Sequence, residues 1–253
     1  MESYTAFAEV YDLYMDNAPY DTWAENLKRL LSEYLKQTKV TTEVPLVAEL
    51  GCGTGEITKR LSGDYDMIGI DNSGEMLMIA REKSPEVLWL QQDMRELELF
   101  GTVAAVISVC DSMNYLLTEE DLLETLKKAE NYLDPGGVLI FDMNTLHKYR
   151  DILSDNTFAE NREEGSFIWE NEFDPDTLEN VYDLTLYIAE GEAFRRYEET
   201  HVQRAFPEET VIRLIKEAGL EPVAVLDTET LREPEADAER IYFIAREKKK
   251  EKE

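Results

Sequence analysis

From residue 46 to residue 141 the chain alternates short apolar runs with stretches of helical spacing. The runs Leu46 to Leu50, Asp66 to Ile70, Val87 to Gln91, Val103 to Val109 and Val138 to Phe141 have strand length. Between them, about Gly55 to Leu61, Ser73 to Lys83 and Glu119 to Leu133 carry apolar groups on one helical face. Ser73 sits where an N-cap is needed, Pro85 breaks the helix before the third strand, and Asp134-Pro-Gly-Gly137 predicts a turn before the fifth. The fourth run is almost wholly apolar, as a central parallel strand covered on both faces should be. Strands alternating with helices predict a doubly wound parallel sheet with right-handed crossovers. Upstream, Trp23, Leu27, Leu30, Leu31, Tyr34 and Leu35 space a helix over residues 21–36.

From about Leu146 to Phe206 this rhythm stops, and Phe167-Ile-Trp169, Val181 to Ile188 and Phe194 to Val202 read as antiparallel strands. It resumes with a helix from Pro207 to Ala218, Gly219 as its C-cap, and strands over Glu221 to Leu226 and Arg240 to Ala245. The expected architecture is α/β, a doubly wound, mostly parallel seven-stranded sheet with an inserted antiparallel β layer. Residues 1–40 form an N-terminal helical cap, 41–145 and 207–246 the α/β domain, 146–206 a lid over the cleft, and 247–253 a disordered tail.

Composition narrows the partners. The chain has 253 residues, 43% of them hydrophobic, and no apolar run nears the roughly 20 residues needed to cross a bilayer. The start, Met1-Glu-Ser-Tyr4, lacks the basic and apolar regions of a secretory signal, so a cytoplasmic protein is expected. With 55 acidic and 26 basic residues the net charge is −29. That charge opposes nucleic acid and anionic membranes, and serves solubility or attraction of a cationic substrate. Two cysteines, Cys52 and Cys110, each ending a predicted core strand, suit a reduced pair of small apolar residues. His147 and His201 do not make a metal-ligand pattern, so no metal is expected.

The chemistry concentrates at Val47-Ala-Glu-Leu-Gly-Cys-Gly-Thr-Gly-Glu56, with Asp71 ending the next apolar run. Alternating glycines between a strand and a helix let backbone approach a ligand, and an acid at the next strand tip can accept hydrogen bonds from a ribose diol. Gly51, Gly53 and Gly55 do not have the G-x-G-x-x-G spacing that rests a pyrophosphate on a helix N-terminus. Glu49, just before them, would repel a pyrophosphate and suit a ligand bearing an ammonium and a sulfonium. S-adenosylmethionine is such a ligand.

These residues, with Asp71-Asn-Ser-Gly-Glu-Met76, Gln92-Asp-Met-Arg-Glu-Leu97 and Leu133-Asp-Pro-Gly-Gly-Val-Leu-Ile-Phe-Asp142, resemble a class I S-adenosylmethionine-dependent methyltransferase over about residues 44–145. The resemblance implies a Rossmann-like fold. It also implies Gly51, Gly53 and Gly55 at the methionine part, Asp71 with Asn72 at the ribose, and Asp93 with Met94 at the adenine. Met76 packs on the adenine ring or fills the core, and Asp93 binds cofactor or caps a helix. Cys110 packs near the cofactor. Tyr4, Phe7, Tyr11 and Tyr14 share one helical face. Through Phe7-Ala-Glu-Val-Tyr-Asp-Leu13 and Tyr20 the chain is similar, more narrowly, to small-molecule methyltransferases acting on amino sugars, which implies that Tyr11 and Tyr20 close over the methionine portion. That group carries a histidine where this chain has Tyr115, and shares one matching His201.

The expected function is methyl transfer from S-adenosylmethionine to a small molecule, a cationic amine being the favoured acceptor, by a monomer or homodimer. Tyr11, Tyr115 and His201 are the catalytic candidates. An oxygen acceptor, a protein or RNA acceptor, or a catalytically silent cofactor-binding module are the alternatives.

Overall fold

A computed structural model describes residues 8–16, 18–191 and 193–248. Tyr4 and Phe7 therefore lie outside the described residues. Seven strands form one sheet in the order β10-β11-β5-β4-β1-β2-β3. They are β1 (Leu46–Leu50), β2 (Asp66–Asp71), β3 (Leu88–Gln91), β4 (Val103–Ser108), β5 (Leu133–Asn144), β10 (Leu220–Asp227) and β11 (Arg240–Glu247). β11 alone runs against its neighbours, β5 and β10. Every residue of β4 is buried, as its uninterrupted apolar run requires.

Alternation along the strands divides the core. Val47, Met67, Ala105, Ile107, Val138 and Ile140 pack against α2 (Tyr20–Tyr34) and α3 (Glu56–Leu61). Ala48, Leu50, Val106, Leu139 and Phe141 pack on the opposite face against α5 (Glu119–Tyr132) and α6 (Glu208–Glu217). α4 (Gly74–Lys83) is capped by Ser73, whose hydroxyl accepts the Met76 N–H, and packs Leu77 and Ala80 on Trp89. α2 is thus a layer of the main core rather than part of a cap, with Leu27 and Leu31 fully buried. Among the described residues of 1–40, α1 (Ala8–Tyr14) lies outside that layer.

Residues 157–204 form a separate antiparallel sheet, β6 (Thr157–Asn161), β7 (Gly165–Asp174), β8 (Glu179–Glu190) and β9 (Ala193–Arg204), in that order. Tyr14 of α1 is buried against Leu184 and Leu186 of this sheet, and Arg162 pairs with Asp16.

Two expectations change. Asp134 to Gly137 lies within β5, where pairing jumps from Val103↔Leu133 to Ala105↔Val138 and Gly136 takes φ +75°. The turn chemistry is real but serves an outward excursion of one strand. The tail does not begin at residue 247. Arg246 donates to the carbonyls of Gly136 (2.7 Å) and Tyr34 (2.8 Å), and Glu247 accepts the Gly136 N–H at 3.1 Å. These charges are buried because they satisfy the backbone that the excursion leaves unpaired.

Candidate active site

The C-terminal ends of β1, β2, β3 and β4 open into one cavity of about 820 Å³. Its wall includes Tyr11, Tyr20, Glu49, Gly51, Gly53, Asp71, Asn72, Met76, Asp93, Met94, Cys110 and Tyr115, so twelve of the residues singled out from sequence converge there. Thr54, Glu56, Glu75, Arg81 and Leu116 are among its further lining residues, without having been singled out from sequence. Two of the expected residues lie elsewhere. A β-carbon on Gly55 would meet Trp89 at 2.5 Å and Ala80 at 3.2 Å, so this glycine, at φ +80°, lets α3 start close against β3 rather than face the cavity. His201 is 1% exposed and sits behind the wall. No described residue of 146–206 lines the cavity, so the inserted sheet backs the wall instead of roofing it directly.

The glycine turn is held from two sides. Asp71 Oδ2 accepts the Gly53 N–H at 2.7 Å and Oδ1 the Ser73 N–H at 2.8 Å. Each carboxylate oxygen keeps capacity for a further donor. Burial holds the Asp71 carboxyl above its ordinary value, partly offset by those N–H groups. From above, Asp12 of α1 accepts from Thr54 Oγ1 at 2.7 Å and pairs with Lys83 at 2.5 Å, clamping the first helix over the turn. Tyr11 also bonds the Tyr20 hydroxyl.

Glu49 is 2% exposed. Burial pushes its carboxyl up to about 8, against the pull of the Thr58 hydroxyl that donates to it and with a further push from Asp71. Cys110 is likewise raised by burial and stays a thiol, consistent with packing rather than reaction. Asp93 accepts from the Arg95 N–H at 2.9 Å and pairs with its guanidinium at 2.6 Å, which holds its carboxyl below the ordinary value. It is therefore both the cap of the short helix Met94–Glu96 and part of the cavity wall.

At the far wall, the Tyr115 hydroxyl lies 2.6 Å from that of Tyr182 and 3.2 Å from His201 Nδ1. His201 Nε2 is 3.3 Å from the Glu199 carboxylate, and its ring stacks on Tyr182 at 4.9 Å. Glu199 belongs to Glu198-Glu-Thr-His201, a segment that its place at the end of the inserted layer offered as a substrate contact, whereas Tyr182 was not assigned a role from sequence. Only the paired register that sets Tyr182 opposite His201 could have suggested Tyr182.

The cavity suits an adenosine ligand with a cationic side chain. A β-carbon built on Gly53 meets nothing within 4 Å, so backbone there borders open space, and Glu49 and Asp71 on the wall beside it can compensate a buried cation. A family described as Methyltransferase domain matches residues 47–137. A Bacillus subtilis (strain 168) protein with the provisional designation methyltransferase YqeM is 39% identical over 251 residues, 97% of this chain and 98% of that protein. The chain belongs to the S-adenosylmethionine-dependent methyltransferases. The solved S-adenosylmethionine-dependent methyltransferase of Clostridium acetobutylicum ATCC 824 is 27% identical, with a TM-score of 0.84 over 98% of this chain and all of that one. A Streptomyces venezuelae dTDP-3-amino-3,4,6-trideoxy-alpha-D-glucopyranose N,N-dimethyltransferase is 30% identical over 136 residues, 53% of this chain and 56% of that enzyme. In a methyltransferase of this kind S-adenosylmethionine is the cofactor, and the cavity at Asp71 and the glycine turn is where this chain can hold it.

Proposed function

We propose that this methyltransferase acts on the nitrogen of a small amine, and that Tyr115 and His201 carry away the proton the nitrogen must lose. The observation that carries this reading is the Tyr115 hydroxyl on the cavity wall, 3.2 Å from a buried imidazole that is itself 3.3 Å from a carboxylate. The similarity to an amino-sugar N,N-dimethyltransferase supports it. So does the wall's charge, since Glu49, Glu56, Asp71, Glu75 and Asp93 outnumber Arg81 and Arg95.

When bound, S-adenosylmethionine supplies a methyl group on a sulfonium, already electrophilic. The residues of the chain have to do the rest. Gly51 and Gly53 would admit the ligand to the backbone, Asp71 would take the ribose hydroxyls, and Asp93, Met94 and Met76 would border the adenine end. Tyr11 and Tyr20 would bound the methionine end, and the wall would have to hold the amine in line with the methyl carbon. An ammonium has no lone pair, so the acceptor nitrogen must shed a proton. The Tyr115 oxygen accepts it while its own proton passes to His201 Nδ1, and Glu199 stabilises the imidazolium.

The test is transfer of labelled methyl groups to a panel of small amines, alcohols and carboxylates, with Tyr115→Phe and His201→Gln beside the parent. The expected result is methylated amine, with kcat lowered at least about 100-fold in both variants and KM for the cofactor within twofold. Oxygen acceptors preferred over amines, or variants turning over at the parent rate, would overturn the proposal.

A further inference from the structure

Cys110 and Asp111 are consecutive non-glycine residues in the left-handed region, at φ +59° and +56°. A β-carbon makes that conformation costly, so the surroundings must hold it. Asp142, 3% exposed, accepts the Asp111 N–H at 2.8 Å and the Cys110 N–H at 3.0 Å. Arg240 bridges the two acids, with Nη2 donating to Asp111 Oδ1 at 2.6 Å and Nη1 to Asp142 Oδ2 at 3.3 Å. Its guanidinium lies over the Trp23 ring, 5.3 Å from the centroid. The second Asp111 oxygen accepts from Gln203 Nε2 at 2.6 Å, and the Gln203 carbonyl accepts from Tyr149 at 3.0 Å. Gln203 stands in β9, two residues after His201. Asn114 repeats the stitch, donating to the Arg204 carbonyl at 2.8 Å.

One carboxylate therefore joins the turn after β4, the start of β11 and the inserted sheet. The same turn runs directly into the short helix Ser112–Tyr115 that carries Tyr115 into the cavity wall. Asp111, Asp142, Arg240 and Gln203 do not themselves line the cavity, so they act on a ligand only through what they hold. We propose that Asp111 is a positioning residue for methyl transfer, fixing Tyr115 against His201 by anchoring the cavity turn to β9. The catalytic consequence rests on the role given above to Tyr115 and His201; the anchoring does not.

The test compares Asp111→Asn, Asp111→Gly and Gln203→Met with the parent. Asparagine tolerates the left-handed region and keeps the side-chain size, while glycine removes the backbone penalty. Gln203→Met cuts only the tie to β9. Each is measured by amide hydrogen exchange of peptides covering residues 109–118 and 195–206, by calorimetry with S-adenosylhomocysteine, and by kcat and KM on an amine accepted by the parent. All three variants are expected to exchange at least tenfold faster over 195–206, with β1 and β2 unchanged. S-adenosylhomocysteine Kd stays within threefold, and kcat falls at least tenfold at unchanged cofactor KM. Parent-like protection of 195–206 in Asp111→Asn and Gln203→Met overturns the anchoring, as does parent-like protection in Asp111→Gly, which would reduce the carboxylate to a strain relief. If Asp111→Asn fails to fold, Gln203→Met alone decides. Faster exchange with Tyr115→Phe turning over at the parent rate sinks the proton path and leaves the anchoring standing.

Discussion

Replacing Glu49 with glutamine should stabilise the free protein and weaken its hold on the cofactor, both in a pH-dependent way. Glu49 is buried, and burial raises its carboxyl from an ordinary 4.5 to about 8. Below pH 4.5 the group is neutral folded and unfolded. As pH rises the unfolded chain ionises first, while the folded chain keeps its proton until about 8. Stability is therefore fully present below 4.5 and is lost across the window from 4.5 to 8, at about 1.4 kcal/mol per pH unit and about 5 kcal/mol in all. That figure is a ceiling, because the cavity beside the carboxyl admits water. Glutamine still accepts from the Thr58 hydroxyl but never ionises. Half the ceiling moves Tm by about 5–10 °C in a chain of this size. Differential scanning fluorimetry at pH 5 and pH 8.5 is the assay, and the variant should match the parent at pH 5 and exceed it at pH 8.5. In parallel, calorimetry in buffers of different ionisation enthalpy should show the parent releasing about one proton per S-adenosylmethionine bound at pH 7, and the variant none. A Tm difference equal at both pH values, or cofactor binding without proton release, would refute the reasoning.

Asp71→Asn should cost about 1 to 3 kcal/mol of cofactor affinity, measured by calorimetry, because it removes a charged acceptor while leaving a side chain able to hold the Gly53 N–H. Gly55→Ala should lower Tm by about 5 °C or more, since its β-carbon would press on Trp89 at 2.5 Å from a left-handed backbone. The cofactor Kd of whatever remains folded should change little, as Gly55 does not line the cavity. Asp12→Ala should leave Tm within about 2 °C yet raise the cofactor Kd several-fold, because it frees α1 from Thr54 and Lys83; parent-like affinity in fluorescence titration would deny the clamp.

The sheet was legible in the sequence because its strands are buried on both faces. Leu46 to Leu50 and the Val103 run admit no other reading, and the Ser73 cap fixes the start of α4. Glu49, Gly51, Gly53 and Asp71 followed from the glycine turn and the strand that Asp71 ends, since local backbone chemistry dictates both; the other eight cavity residues came with the family resemblance. What escaped depends on pairing between distant elements. Tyr182 reaches Tyr115 only because the β8 and β9 register sets it opposite His201. β6 is five residues with no buried side chain, so periodicity had little to show. Arg246 and Glu247 look like a solvated charge run and are buried by carbonyl and amide groups of Gly136 that no local pattern reveals. Gly55 shares the motif with Gly51 and Gly53, and only the bulk of Trp89 distinguishes its role.

Three carboxyls at this end of the sheet are raised by burial, and their compensation differs. Asp142 has the Arg240 guanidinium, Asp71 has three backbone N–H groups, and Glu49 has the hydroxyl and backbone N–H of Thr58. Glu49 is therefore the group whose ionisation a cationic ligand can still stabilise most. S-adenosylmethionine and S-adenosylhomocysteine differ at that end by one methyl group and one positive charge, so the carboxylate favours the methyl donor over the spent product only when ionised. The ratio of the product Kd to the donor Kd should accordingly rise as pH goes from 6 to 9 in the parent, through the value near 8, and stay flat in Glu49→Gln. A ratio independent of pH in the parent would mean that Glu49 discriminates by shape or not at all, and that product release owes nothing to its charge.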